Sequence, residues 1–232
     1  MCGRFAQVIK HNELKKLQDE LKVIESSEQI ELNYNLAPTQ TVGAIVAKGD
    51  IRYPGFFRWG LIPSWMKEVP ANAMINVRME SITEKPSFKA SFLRRRALVP
   101  ANGFYEWRQG DKQPFFIYSS ASPLIYMAAI FDAWYAADGS YIPSLAIVTT
   151  AADSIMQPIH HRMPLLIPPA NWDKWLDNGI TELPTLTPLL LESDSRHLQY
   201  YPVSKRVNNI HNNDAECLRE IPAEPLQSNI FQ

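Results

Sequence analysis

The sequence predicts a single α+β domain over residues 1–232, built on a largely antiparallel, barrel-like β-sheet with a few flanking helices. Three observations carry that reading. Short runs rich in β-branched and aromatic residues recur along the chain, helix-period patterns are few, and turn sequences rather than helices join the runs. No repeat, low-complexity tract or Gly/Ser-rich linker divides the 232 residues, and a chain of that length can bury a core without a metal or disulfide staple.

In chain order, Asn12 can cap a helix that places Leu14, Leu17 and Leu21 on one face. Strand-like runs follow at 42–47, 103–108, 115–118, 125–129, 145–149 and 198–203. Gln109-Gly110-Asp111-Lys112 makes a hairpin turn between the second and third of these, which puts Glu106 on a strand near the turn. A second amphipathic helix fits 169–178, with Trp172, Trp175 and Leu176 inward and Gly179 as its stop.

Composition narrows the function classes. The 23 Lys and Arg balance 24 Asp and Glu, so any DNA or membrane partner must use a local patch. The apolar stretch 124–137 is interrupted by Asp132 and too short to span a bilayer, and no signal-peptide core opens the chain. The expectation is a monomeric cytoplasmic protein without a membrane partner, at the nucleoid if the source is bacterial. The two cysteines, Cys2 and Cys217, read as reduced thiols, with Cys217 a buried structural one.

Cys2 is the residue with the most specific chemistry. A small second side chain favours removal of Met1, by an aminopeptidase or by the chain itself. The new terminus carries an α-amine of pKa about 7.7–8.0 beside a thiol of about 8.5. Such a 1,2-aminothiol condenses with an aldehyde to a Schiff base, and the thiol then closes a thiazolidine ring. An internal cysteine, whose nitrogen is an amide, does neither.

Four other features accompany it. Period-2 alternation in the segment 74–80 puts Asn76, Arg78 and Glu80 on one face, where Arg78 can fork onto a phosphate. Glu106 stands among Phe104, Tyr105 and Trp107, where a low dielectric favours its protonated form. His160 and His161 supply proton-shuttle chemistry; pointing apart in an extended chain, they lack metal-ligand spacing, and neither metal nor cofactor is expected. Residues 78–96 carry Arg78, Lys85, Lys89, Arg94, Arg95 and Arg96 against Glu80 and Glu84, with Trp59, Trp65 and Trp107 available to stack on bases. Taken singly, a solvated surface or core packing explains most of these residues as well.

Together the segments resemble the SOS response-associated peptidase family, proteins that shield abasic sites. The resemblance rests on Met1-Cys2-Gly3-Arg4, Tyr34-Asn35-Leu36-Ala37-Pro38, Arg58-Trp59-Gly60-Leu61-Ile62-Pro63, Ile75-Asn76-Val77-Arg78-Met79-Glu80, Pro100-Ala101-Asn102-Gly103-Phe104-Tyr105-Glu106-Trp107, His160-His161-Arg162-Met163-Pro164 and Tyr201-Pro202-Val203-Ser204. Val77 departs conservatively from the Ala of many relatives. The resemblance implies single-stranded DNA containing abasic sites as partner and Cys2 as crosslinking nucleophile. It further implies that Asn76 positions sugar or terminal amine, that Glu106 handles protons, and that His160 assists ring opening. Arg4, Arg78 and Arg162 would contact DNA and Trp59 and Trp107 would shape its path, with a lyase side reaction and self-processing of Met1 as further activities. Two other readings fit parts of the sequence: an N-terminal-nucleophile amidohydrolase of the glutamine amidotransferase type, which also starts Met-Cys-Gly, and a non-covalent single-strand DNA-binding module.

Overall fold

A computed structural model describes residues 2–24, 30–72, 74–136 and 138–222. The strands run β1 (Phe5–Gln7), β2 (Asn33–Leu36), β3 (Thr41–Lys48), β4 (Ile51–Trp59), β5 (Asn76–Arg78), β6 (Arg96–Ala101), β7 (Gly103–Trp107), β8 (Pro114–Ser119), β9 (Ile125–Tyr135), β10 (Tyr141–Ala151), β11 (Arg162–Pro164) and β12 (Leu198–Pro202). The helices are α1 (His11–Leu21), α2 (Pro86–Arg94), α3 (Trp172–Leu176) and α4 (Leu183–Leu191).

The strands form two sheets, one ordered β12-β8-β7-β1-β2 and one ordered β11-β10-β4-β3-β6-β9, with β5 added beside β10. Pairing is antiparallel except where β4 and β5 run parallel to β10. This is the α+β, barrel-like architecture the sequence predicts. The apolar run of β3 is buried at Val42, Ala44, Ile45, Val46 and Ala47 because both faces of that strand meet core. Between the sheets Cys2, Phe5, Trp59, Phe104, Met127 and Ile147 share one cluster, while the helices close a second around Leu17, Leu21, Phe92 and Trp175.

The hairpin at 109–112 forms as expected, pairing Glu106 with Phe115 and Trp107 with Pro114. Gly110 adopts φ 106° and Lys112 φ 57° in its turn. Gly103, which opens β7, lies where a Cβ would come within 2.2 Å of the Ile117 carbonyl oxygen. Only glycine lets β7 close on β8 there, which fixes the strand that carries Glu106.

Several local expectations are corrected. Helix α1 starts at His11 with Lys10 as its N-cap, so Asn12 lies inside the first turn; the Lys10 backbone N–H donates to Glu13 Oε2 at 2.9 Å. The helix expected over 169–178 is a 3-10 turn at Pro169–Asn171 followed by α3, whose end is set by an extended Asp177 rather than by Gly179. Trp172, Trp175 and Leu176 do face the core. Helices α2 and α4 were not anticipated; each has proline in its first turn, the one position where proline favours a helix. Glu80 does not continue the β5 strand but sits on a 3-10 turn, Met79–Ser81.

The basic stretch is also thinner than its sequence suggests. Arg96 is fully buried, its guanidinium donating to the carbonyls of Phe92, Leu93 and Trp175, so it caps helix ends instead of facing solvent. Arg95 is held 3.3 Å from Asp132. Cys217 is buried as expected, and its thiol donates to the Asn212 carbonyl. No helix among the described residues is long and apolar enough to cross a membrane.

Candidate functional site

The first residues of the chain are threaded into the sheets. Phe5 pairs with Leu36 of β2 and Phe104 of β7, and the Tyr105 N–H donates to the Arg4 carbonyl at 2.9 Å. Cys2 is thereby carried into the interior, where it is fully buried. The Asn76 amide donates from Nδ2 to the Cys2 carbonyl at 2.8 Å, joining the N-terminal segment to β5 across 74 residues of sequence. Asn76 Oδ1 is buried and has no hydrogen-bond partner among the described residues, leaving an acceptor beside Cys2.

Trp59 explains why Asn76 stands there. Its ring is fully buried, packs 4.9 Å from Phe5 between ring centres, and donates from Nε1 to the Ile75 carbonyl at 2.9 Å. It therefore forms the floor under both the N-terminus and Asn76. It is buried beneath these two segments, so any part it has in shaping a DNA path is exerted through them.

Glu106 is 3% exposed, and its burial raises the carboxyl pKa above the ordinary glutamate range. Burial also raises the Cys2 thiol pKa strongly, with the negative charge of Glu106 as the second cause. The two groups thus sense each other, and the resting sulfur is a thiol. Chemistry here must start from a neutral thiol, with the carboxyl as nearby proton donor or acceptor.

His160 and His161 do not point apart as expected. Their rings stack at 4.3 Å between centres, because residues 153–160 form hydrogen-bonded turns and the chain is not extended there. His160 Nδ1 lies 3.0 Å from the Arg162 backbone N–H and 3.1 Å from the Arg162 carbonyl oxygen, so the backbone of Arg162 holds the ring in place through that nitrogen. Burial lowers the His160 pKa, and the charge of His160 is the first cause lowering that of His161. The Gln109 N–H donates to the Ile159 carbonyl at 3.3 Å, and Gln109 Nε2 lies 3.2 Å from His161 Nδ1. The turn after Glu106 is in this way tied to the histidine segment. Among the described residues no three His, Cys, Asp or Glu side chains are grouped to hold a metal ion.

The candidate DNA contacts divide. Arg78 is exposed at the end of β5. Arg4 is half-buried, lies 5.8 Å over the Trp107 ring, and donates from Nη1 to Asn35 Oδ1 and the Val207 carbonyl, both at 2.7 Å. Trp107 keeps part of its ring exposed while Nε1 donates to Asn208 Oδ1 at 2.8 Å. Arg162 is different. It is 7% exposed, grips Glu80 with both terminal nitrogens at 2.6 and 3.0 Å, and donates to the Thr149 carbonyl at 2.6 Å. Its guanidinium is engaged by Glu80, so a phosphate would meet it in competition with that ion pair.

Sequence reading missed two residues that organise this region. Asn35 is 1% exposed, and its amide donates to the carbonyls of Val207, Asn209 and Asn212, which anchors the loop beside Trp107 and holds Arg4 in place. Glu80 was noted only as one of an alternating set. A separate cavity of about 600 Å³, lined among others by Lys16, Arg52, Tyr126 and Trp172, shares no lining residue with the Cys2 group.

The family model described as SOS response associated peptidase matches residues 1–210. The chain belongs to that family. It is 35% identical to the abasic site processing protein YoaM of Bacillus subtilis, over 94% of this chain and 97% of that one. Similarity to the abasic site processing protein HMCES of Xenopus tropicalis is 33% identity over 84% of this chain and 68% of that protein. A crystal structure of a protein from Bacteroides thetaiotaomicron shares the fold, with a TM-score of 0.82 at 24% identity, covering 95% of this chain and all of that one.

Proposed function

We propose that the chain, once Met1 is removed, captures abasic sites in single-stranded DNA as a thiazolidine on Cys2. The observation that carries this reading is the clustering of three groups the reaction needs: the Cys2 carbonyl is held by Asn76 at 2.8 Å, and the N-terminal segment pairs with β7, the strand that carries the buried Glu106. The names of the relatives, abasic site processing proteins, support the choice of aldehyde.

The open form of an abasic deoxyribose carries an aldehyde at C1′. The α-amine of Cys2 adds to C1′ to give a carbinolamine, and Glu106 in its protonated form donates to the departing hydroxyl, which leaves as water. The Cys2 sulfur then attacks C1′ of the resulting iminium; its proton passes to the Glu106 carboxylate, and the iminium electron pair returns to nitrogen. One water is lost overall, and a C–N and a C–S bond replace the carbonyl. Ring closure needs the imine carbon, so the amine acts first and sulfur reacts as its proton is taken.

Asn76 Oδ1, with no partner among the described residues, is placed to accept a hydrogen bond from the amine or the sugar C4′ hydroxyl. His160, kept neutral by burial, serves proton transfer in ring opening and in reversal. The iminium also acidifies C2′, so slow strand cleavage by β-elimination accompanies capture. Arg78 meets a phosphate, and the Arg4–Trp107 pair offers a charged and aromatic edge to the strand.

Intact mass spectrometry of the processed protein with an abasic oligonucleotide tests the reading. The expected species has the summed mass less one water. Free protein alone, with a competent abasic strand present, contradicts it.

A further inference from the structure

The Glu80–Arg162 pair is bidentate, yet nothing in the proposed reaction uses either side chain. Its position gives it a use. Glu80 lies on the turn directly after Asn76 and Arg78, and burial of Arg162 keeps that residue fixed on β11, where it pairs with Ala151. The backbone N–H of the same Arg162 holds His160 Nδ1 at 3.0 Å. Arg162 Nη2 also reaches the Thr149 carbonyl at 2.6 Å, and Thr149 is the β10 partner of Arg78. One carboxylate thus bolts the segment bearing Asn76 and Arg78 to the segment bearing His160.

We propose that Glu80 is a positioning residue for capture of the abasic aldehyde, acting through Arg162 to hold the His160 imidazole in register with Asn76 and Cys2. This rests on the function proposed above. The ion pair is half open to water on the Glu80 side, with a Glu80 side-chain exposure of 50%, so its worth to global stability is small while its effect on local register is not. The Glu80 pKa is lowered, first by its hydrogen bond with Arg162, so the clamp is charged at neutral pH. A shift of even an ångström in a proton-transfer group costs rate far more than it costs affinity.

The test uses the processed full chain and a single-stranded oligonucleotide with one abasic site. Glu80→Ala and Glu80→Gln are each compared with the unaltered protein for affinity toward an intact strand, for crosslinking rate at saturating abasic DNA, and again in a His160→Ala background. Glu80→Ala is expected to leave affinity within about twofold, to slow the saturated rate by about tenfold, and to have no further effect once His160 is gone. Glu80→Gln, which keeps one acceptor for Arg162, should retain part of the rate. The proposal is overturned if either folded variant crosslinks at the unaltered rate, or if Glu80→Ala slows the His160→Ala protein by the same factor. Failure of the unaltered protein to crosslink at all would instead overturn the function on which the proposal rests.

Discussion

Replacing Asn76 by Ala separates what holds the fold from what holds the nucleophile. The side chain makes one hydrogen bond, from Nδ2 to the Cys2 carbonyl at 2.8 Å, and carries a buried Oδ1 without a partner among the described residues. A neutral hydrogen bond is worth about 0.5–1.5 kcal/mol net; its loss leaves the buried Cys2 carbonyl unpaired, at about 1–3 kcal/mol, while removal of the unsatisfied Oδ1 returns about 1–3 kcal/mol. The two nearly offset, so Asn76→Ala should unfold within a few degrees of the unaltered protein. Crosslinking has no such offset. If the lost bond is expressed in the placement of Cys2, the rate falls by about 2- to 13-fold, since about 1.4 kcal/mol is a factor of ten. Asn76→Asp should be slower still, because a carboxylate oxygen would then face the Cys2 carbonyl. Single-turnover formation of the heat-stable adduct, with thermal unfolding measured alongside, gives both numbers. A folded Asn76→Ala protein that crosslinks at the unaltered rate would refute the assignment.

Three further outcomes follow from the same geometry. Glu106→Gln should slow crosslinking by about 10²–10⁴-fold, and it should change stability in a pH-dependent way. The folded pKa of Glu106 is raised by burial, so its contribution to stability is present below the ordinary glutamate range and is lost as pH rises through the raised value. The melting temperature of the unaltered protein should accordingly fall relative to Glu106→Gln as pH rises through that window; a constant difference would contradict the burial argument. Arg78→Ala should lower the salt slope of single-strand binding by about 0.7 in log–log units. Arg162→Ala, by contrast, should leave that slope unchanged and lower the melting temperature, since it empties a buried site and removes the bond to the Thr149 carbonyl; equal slope changes in both variants would show that Arg162 reaches phosphate.

The parts of the fold that sequence exposes are those fixed by local rules. Turn chemistry at Gly110 and the apolar alternation around it placed the β7–β8 hairpin and Glu106 correctly. The short strands β1, β2, β5 and β11 were harder, because each is three or four residues long and exists only through its partners. Helix α2 begins at Pro86, and α4 carries Pro184 in its first turn and Pro188 within it, residues that a pattern search reads as breaks. At the site, Cys2, Asn76 and Glu106 could be named from residue chemistry and family motif, yet the bond between Asn76 and Cys2 spans 74 residues and has no local signature. Trp59 and Arg162 illustrate the converse. Each is a residue type suited to DNA, and each is buried by contacts made far away in sequence, with Ile75 and Phe5 for one and Glu80 for the other. Arg96 repeats the point, as a cation satisfied wholly by carbonyls from the ends of other elements.

The central claim concerns the α-amine of Cys2, and it is tested most directly by adding one residue before Cys2 while leaving every side chain in place. That change turns the amine into an amide, which can form neither the Schiff base nor the thiazolidine, and leaves the thiol able to give only a labile hemithioacetal. The measurement is intact mass of the heat-treated product formed with an abasic oligonucleotide, taken in parallel for the processed and extended proteins. The account predicts a heat-stable adduct, at the summed mass less one water, for the processed protein only, with both proteins binding the strand equally. A heat-stable adduct on the extended protein would place the linkage on another residue and contradict the mechanism.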